Sequence, residues 1–184
     1  FRLFIMGKIF CFLNNKNVAS KLGCEKALSY QRNWQKKNYD DDFVSLGIFE
    51  LPQKKENNFW YEDSDIVALI DGEINSCDFA NDANHPIMGK LVSMYKKLGT
   101  NFITCLNGQF NIILWLKNEK KLIILNDRLG LKPLYYTQVK NKVIISSEIK
   151  GIISDGYAVK KLDIESLIDF FTYEYILEER TFFK

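Results

Sequence analysis

Between Leu106 and Ile153 the chain alternates apolar runs with short polar breaks, around one turn whose dihedrals are set by glycine and proline. Gln109 to Leu116 is a continuous run rich in β-branched and aromatic residues. Asn118-Glu119-Lys120 is polar enough to turn, and Lys121 to Leu125 returns as a second apolar run, which is the pattern of a hairpin. In Asp127 to Pro133, Gly130 can take a positive φ, whereas Pro133 fixes φ and cannot donate to a ladder. The chain must therefore turn before Leu134-Tyr135-Tyr136 resumes as a strand. Val143 to Ile145 supplies another strand, and Ser147 is placed to cap a short helix through Ile153. Taken alone, this periodicity describes a meandering antiparallel sheet of no particular function.

The rest of the chain is less regular. Lys8 to Leu13 reads as a short strand, and Val18 to Ser29 suits a helix loosely through Val18, Leu22 and Leu28. Asn33 to Asp42, polar and without period, is expected to be an exposed loop; Phe43 to Leu51 is a strand ended by Pro52. Phe59-Trp60-Tyr61 and Ile66 to Ile70 make a second hairpin around Glu62-Asp63-Ser64-Asp65, and deliver the chain to Asp71-Gly72-Glu73. Pro86 opens a helix in which Ile87, Leu91, Met94, Tyr95 and Leu98 recur at helical spacing, and Gly99 stops it. That stripe is a core face rather than a cofactor box.

Composition removes several function classes. The chain's 184 residues, 47% of them hydrophobic, can bury one sizeable core, and 25 basic against 23 acidic side chains leave almost no net field. The lysine pairs lie beside acidic residues along the whole chain, so nucleic acid is not an expected partner. Cys11, Cys24, Cys77 and Cys105 stand singly, without a CxxC spacing, and read as reduced residues of a cytoplasmic protein. With His85 the sole histidine, no metal site is expected. No stretch reaches the roughly 20 apolar residues of a membrane helix, and Phe1 to Ile5 is too short for a signal segment.

Three motifs carry a family resemblance. Leu106-Asn107-Gly108-Gln109-Phe110, Asp127-Arg128-Leu129-Gly130-Leu131-Lys132-Pro133-Leu134-Tyr135-Tyr136 and Ser147-Glu148-Ile149-Lys150 together resemble the end of the class II glutamine amidotransferase domain that opens asparagine synthetases. The resemblance implies an α+β fold, the four-layer αββα sandwich of two antiparallel sheets found in N-terminal nucleophile hydrolases. It also implies a nucleophilic cysteine, exposed when the initiator methionine is removed, whose own α-amine acts as general base. With a reference pKa of about 7.7 to 8.0, such an amine is partly neutral near physiological pH.

Aligning that family's Met-Cys-Gly-Ile start with Met6-Gly7-Lys8-Ile9 puts Gly7 where the cysteine belongs, so no catalytic residue is expected. Cys11 lies further along the same strand, without an α-amine of its own, and is expected to pack in the core. The family's Asn-Gly-Glu stands as Asp71-Gly72-Glu73, a degenerate substrate site. There the asparagine that would stabilise an oxyanion is replaced by an acceptor, and loss of one such donor costs about a hundred- to a thousandfold in rate. The aspartate that would hold the substrate α-amine aligns with Pro86-Ile87-Met88-Gly89. The arginine that would pair its carboxylate falls near Leu46-Gly47-Ile48-Phe49, and a further basic element survives at most as Arg32.

Leu162 to Ile176 and Glu178 to Lys184 resemble the segment by which the family's amidotransferase domain leads into its synthetase domain. The expected organisation is an amidotransferase-like domain over 1–160 and an exit segment over 161–184, before a C-terminal domain that activates a carboxylate with ATP and Mg. No cofactor is expected in the residues at hand. The expected partner is that domain; a homodimer is compatible with the pattern. Three readings compete: a degenerate domain of an amide-forming enzyme, a working glutaminase feeding ammonia to asparagine synthesis, and a free-standing binding module. Gly7 and Asp71 separate the first two, and the exit segment separates both from the third. Within the turn, Asp127 is placed to accept backbone N–H groups and Arg128 to pair with an acid, unless both are merely solvated.

Overall fold

The structure, a computed structural model, describes residues 7–14, 18–29, 34–50, 59–76, 86–154, 156, 158 and 160–184. Arg32, Pro52, Cys77 and His85 lie outside these, as do the first six residues. Two antiparallel sheets form the centre. Sheet A joins β2 (Gln35–Asp40), β3 (Val44–Glu50), β1 (Lys8–Leu13), β9 (Lys142–Ser146) and β8 (Tyr135–Val139), in that spatial order. Sheet B joins β4 (Trp60–Glu62), β5 (Ile66–Ser76), β6 (Asn107–Leu116) and β7 (Lys121–Asn126).

Side-chain parity sorts each strand's residues between two cores. Ile9 and Cys11 of β1, Leu46 and Ile48 of β3, Val67 and Leu69 of β5, and Ile113 and Trp115 of β6 meet between the sheets. Their alternates point outward. Ile66, Ala68 and Ile70 of β5 lie under the helix α2 (Ile87–Leu98) with Met88, Leu91 and Val92. On the other side Phe10 and Phe12 pack with Cys24 and Leu28 of α1 (Val18–Leu28) and Ile152 of α3 (Ile149–Ile153). Helix, sheet, sheet and helix make the four-layer α+β sandwich.

Three expectations need correction. Asn33 to Asp42 is not a loop, since Gln35–Asp40 is the edge strand β2, in register with β3 from Gln35 opposite Glu50 to Asp40 opposite Ser45. Both of its faces are largely exposed, so no hydrophobic period marks it; lysines on such an edge discourage pairing with another chain. Ser147 does not cap α3. Its hydroxyl accepts the Ile9 N–H at 3.0 Å, extending the β1 ladder, while Glu148 occupies the cap position. The Ile66 strand does not end at Ile70 either; it runs to Ser76, carrying Asp71-Gly72-Glu73 inside β5.

The Asp127 turn is built as the sequence suggested on one side only. Buried Asp127 accepts the N–H groups of Leu129 at 3.1 Å, Leu131 at 3.0 Å and Lys132 at 3.2 Å, and Gly130 turns the chain at φ 62°. Arg128 is exposed, and no acid among the described residues pairs with it. At the end of the chain α4 (Ile164–Tyr173) is clamped by Arg180, which binds Asp169 at 2.5 Å and Glu165 at 3.3 Å. No helix among the described residues is long and apolar enough to cross a membrane.

Candidate functional site

Odd-numbered positions of β1 and β5 face the space between the sheets, and Gly7, one residue before β1, has the same parity as Asp71 in β5. The two meet at one end of the sandwich. A Cβ placed on Gly7 would lie 3.1 Å from Asp71 Oδ1 and 3.3 Å from Ile48 Cδ1, and the Gly7 N–H donates to the Asp71 carboxylate. Gly7 and Asp71, both assigned from the motifs, therefore lie side by side.

Asp71 is almost wholly enclosed. Its Oδ1 is 2.5 Å from Lys132 Nζ, and the two side chains are 3% and 15% exposed, which makes this a buried ion pair. Burial pushes the Asp71 carboxyl above the ordinary carboxylate range, while the Lys132 charge and hydrogen bond, the Lys8 charge and the Gly7 N–H pull the other way. Lys8 is itself paired with Glu148, which also holds Lys150 at 2.6 Å.

Lys132 reaches Asp71 because its loop is tied down by polar side chains. Its N–H is taken by Asp127, and its carbonyl accepts Asn126 Nδ2 at 2.9 Å. Asn126 also donates to Asn111 Oδ1 at 2.6 Å, and Asn111, opposite Asp71 in the β5–β6 ladder, donates to the Pro133 carbonyl at 3.4 Å. Sequence reasoning matched Lys132 only as part of a motif and passed over Asn111 and Asn126. The available signal was Asn111, a lone amide in the apolar run from Phe110 to Leu116.

Gly72 keeps a glycine-only backbone, at φ 128°, where a Cβ would fall 2.0 Å from the Gln109 carbonyl oxygen. Glu73, half-buried, stands opposite Gln109. The remaining assigned positions contribute no anchor. Met88 is fully buried on the inner face of α2, Leu46 and Ile48 belong to the inter-sheet core, and Phe49 packs on the outer face of sheet A. Cys11 is fully buried between the sheets, and burial pushes its thiol far up, away from the reactive thiolate. Among the described residues, no group of three or more metal-ligating side chains is clustered.

Chemically, this arrangement gathers donors around a carboxylate rather than around a developing oxyanion. Both the Gly7 N–H and the Lys132 ammonium are directed at Asp71.

Residues 88–184 match a family described as the glutamine amidotransferase domain. The chain belongs to that family. Curated relatives place it beside asparagine synthetases. It is 32% identical over 128 residues to asparagine synthetase [glutamine-hydrolyzing] 2 of Bacillus subtilis, covering 66% of this chain and 17% of the relative. Amidase chyE of Penicillium rubens is 31% identical over 153 residues, covering 77% of this chain and 22% of that protein. Across these two relatives the chain spans 17% to 22% of their length. Among solved structures, glutamine phosphoribosylpyrophosphate amidotransferase from B. subtilis, complexed with ADP and GMP, shares the fold. The TM-score is 0.52 at 11% identity, over 81% of this chain and 43% of that one.

Proposed function

We propose that this amidotransferase domain does not hydrolyse glutamine and serves an ATP-dependent, amide-forming enzyme of the asparagine synthetase kind as a packed, non-catalytic N-terminal domain. The observation that carries this reading is Gly7 at the nucleophile position, with the Asp71 carboxylate directly against it. A glutaminase needs a thiolate and hydrogen-bond donors for the tetrahedral oxyanion. Here the position has no thiol, and a carboxylate occupies the donors.

The wider reading rests on similarity and on one surface. In it, 1–160 form the amidotransferase-like domain and 161–184 lead to a synthetase domain, which would supply the ATP and Mg sites and is the domain's main partner, in the cytoplasm. The exit helix α4 supports this. Ile164, Ile168 and Phe171, one face of that helix, are 68%, 59% and 83% exposed, as expected of a face that another domain covers.

The competing reading, a working glutaminase, draws on the glutamine-hydrolyzing synthetase among the relatives. Glutamate release from glutamine by the purified protein separates the two. The proposal expects the rate of the enzyme-free control; release well above it, abolished by Cys11→Ala, would overturn the proposal.

A further inference from the structure

We propose that the open edge of β8 receives an extended peptide segment of a partner polypeptide, which adds to sheet A as an antiparallel strand in the cleft between that edge, α3 and the end of the chain. The inference stands whether or not the domain hydrolyses glutamine.

β8 is the outer strand of sheet A, and among the described residues no backbone group pairs with its far side. Its register with β9 decides which groups are open. Val139 and Lys142 flank a two-residue turn and so form a hydrogen-bonded pair, as do Thr137 with Ile144 and Tyr135 with Ser146. The N–H and C=O groups of Tyr136 and Gln138 therefore point away from β9. Both residues line a cavity of about 390 Å³, the size of a ligand site rather than of a packing gap.

The other walls of the cavity define what the added strand carries. Tyr135 turns to the outer core with Ile152, and Ile149, Ile153 and Phe183 line the cavity beside them. Residues of the added strand opposite Tyr135 and Thr137 project to this apolar wall, and those opposite Tyr136 and Gln138 project to the exposed side. Arg180 and Lys184 are balanced at the cavity by Asp163 and Glu179, so an uncharged segment complements it. Open edges are commonly guarded by charge, as β2 is by Lys36 and Lys37 at the other edge of the same sheet, whereas Tyr135–Val139 holds no charged residue, proline or glycine. The ligand class is thus a short extended stretch, uncharged and apolar at every second residue, held through its backbone.

Amide hydrogen exchange of the native chain is the first test. The Tyr136 and Gln138 amides should exchange fast and that of Thr137 slowly. Equal protection of all three would overturn the proposal, because the edge would already be paired; so would protection of Tyr136 and Gln138 that rises with protein concentration, because the occupant would then be a second copy. The second test adds the peptide acetyl-Ser-Val-Thr-Ile-Ser-amide and follows nitrogen-15 amide spectra. Saturable shifts at Tyr136, Gln138 and Phe183 are expected, with slowed exchange of the Tyr136 and Gln138 amides. Methylating the backbone nitrogen of the central threonine should abolish them, and so should Gln138→Pro, which removes an outward N–H and no bond to β9. Absence of saturable shifts, or equal binding of the methylated peptide, would overturn the proposal even if Gln138→Pro failed to fold; equal binding by a folded Gln138→Pro would overturn it as well.

Discussion

Asp127 holds three backbone N–H groups with one carboxylate, so its side chain shapes the whole loop from Leu129 to Lys132. Charge-assisted hydrogen bonds of this kind are worth about 1.5 to 3 kcal/mol. Asp127→Ala should therefore lower the unfolding free energy by about 2 kcal/mol or more, read as a shifted chemical-denaturation midpoint; an unshifted midpoint contradicts the role. Asp63 is a second such acceptor. Burial alone would raise its carboxyl, but the N–H groups of Asp65 and Ile66, with Lys96 and Tyr61, hold it well below the usual range. A carboxyl depressed in the folded state stabilises above its unfolded pKa of about 3.9 and loses that contribution as pH falls through the folded value. Asp63→Asn should accordingly flatten the fall in stability below about pH 4, in denaturation curves taken across the acid range. At this scale the sequence was partly legible. A carboxylate before a glycine-proline turn announces an acceptor, whereas the reach of Lys132 depends on a contact spanning 61 positions that no local pattern encodes.

Elements with a buried and an exposed face were readable, and elements without that contrast were not. The helix α2 was readable through Leu91 and Met94, which are buried against sheet B with Met88 and Val92, although Ile87 and Leu98 of the expected stripe are exposed; β2 buries neither face and so looks like loop. Its register comes instead from the turn that follows, where Asp41 Oδ1 accepts the N–H groups of Phe43 and Val44, both at 2.7 Å. The same aspartate links the two sheets, since Trp115 of β6 donates its indole N–H to Asp41 Oδ2 at 2.8 Å. Trp115→Phe keeps most of the apolar volume and removes that bond, so it should cost about 1 to 3 kcal/mol in denaturant unfolding. A loss no larger than that of a conservative core swap would show that the link between sheets contributes nothing beyond packing. Ser147 illustrates the opposite error: a serine before a helix suggested a cap, but its hydroxyl accepts the Ile9 N–H near the start of β1.

For the whole molecule, the four-layer arrangement and the family were both legible through the resemblance that three motifs in one stretch carry. Gly7 and Asp71 could be singled out from the motifs they stand in, but that they and Lys132 meet could not, because the three come together only once two sheets stack. On the proposed function the site is built around a carboxylate and its cation, so a thiol at position 7 alone does not confer glutaminase activity. The most direct measurement is glutaminase activity of Gly7→Cys with the preceding residues removed, so that the cysteine carries the free α-amine. A side chain there would meet Asp71 Oδ1 and Ile48 at once, and the Asp71 carboxylate would remain beside it. Glutamate release is expected to be indistinguishable from that of the unsubstituted protein, with the fold confirmed by an unchanged strand signal in circular dichroism. Robust release of glutamate from that single change would contradict it, because it would mean that the pocket is intact and that Asp71 does not stand in the oxyanion position.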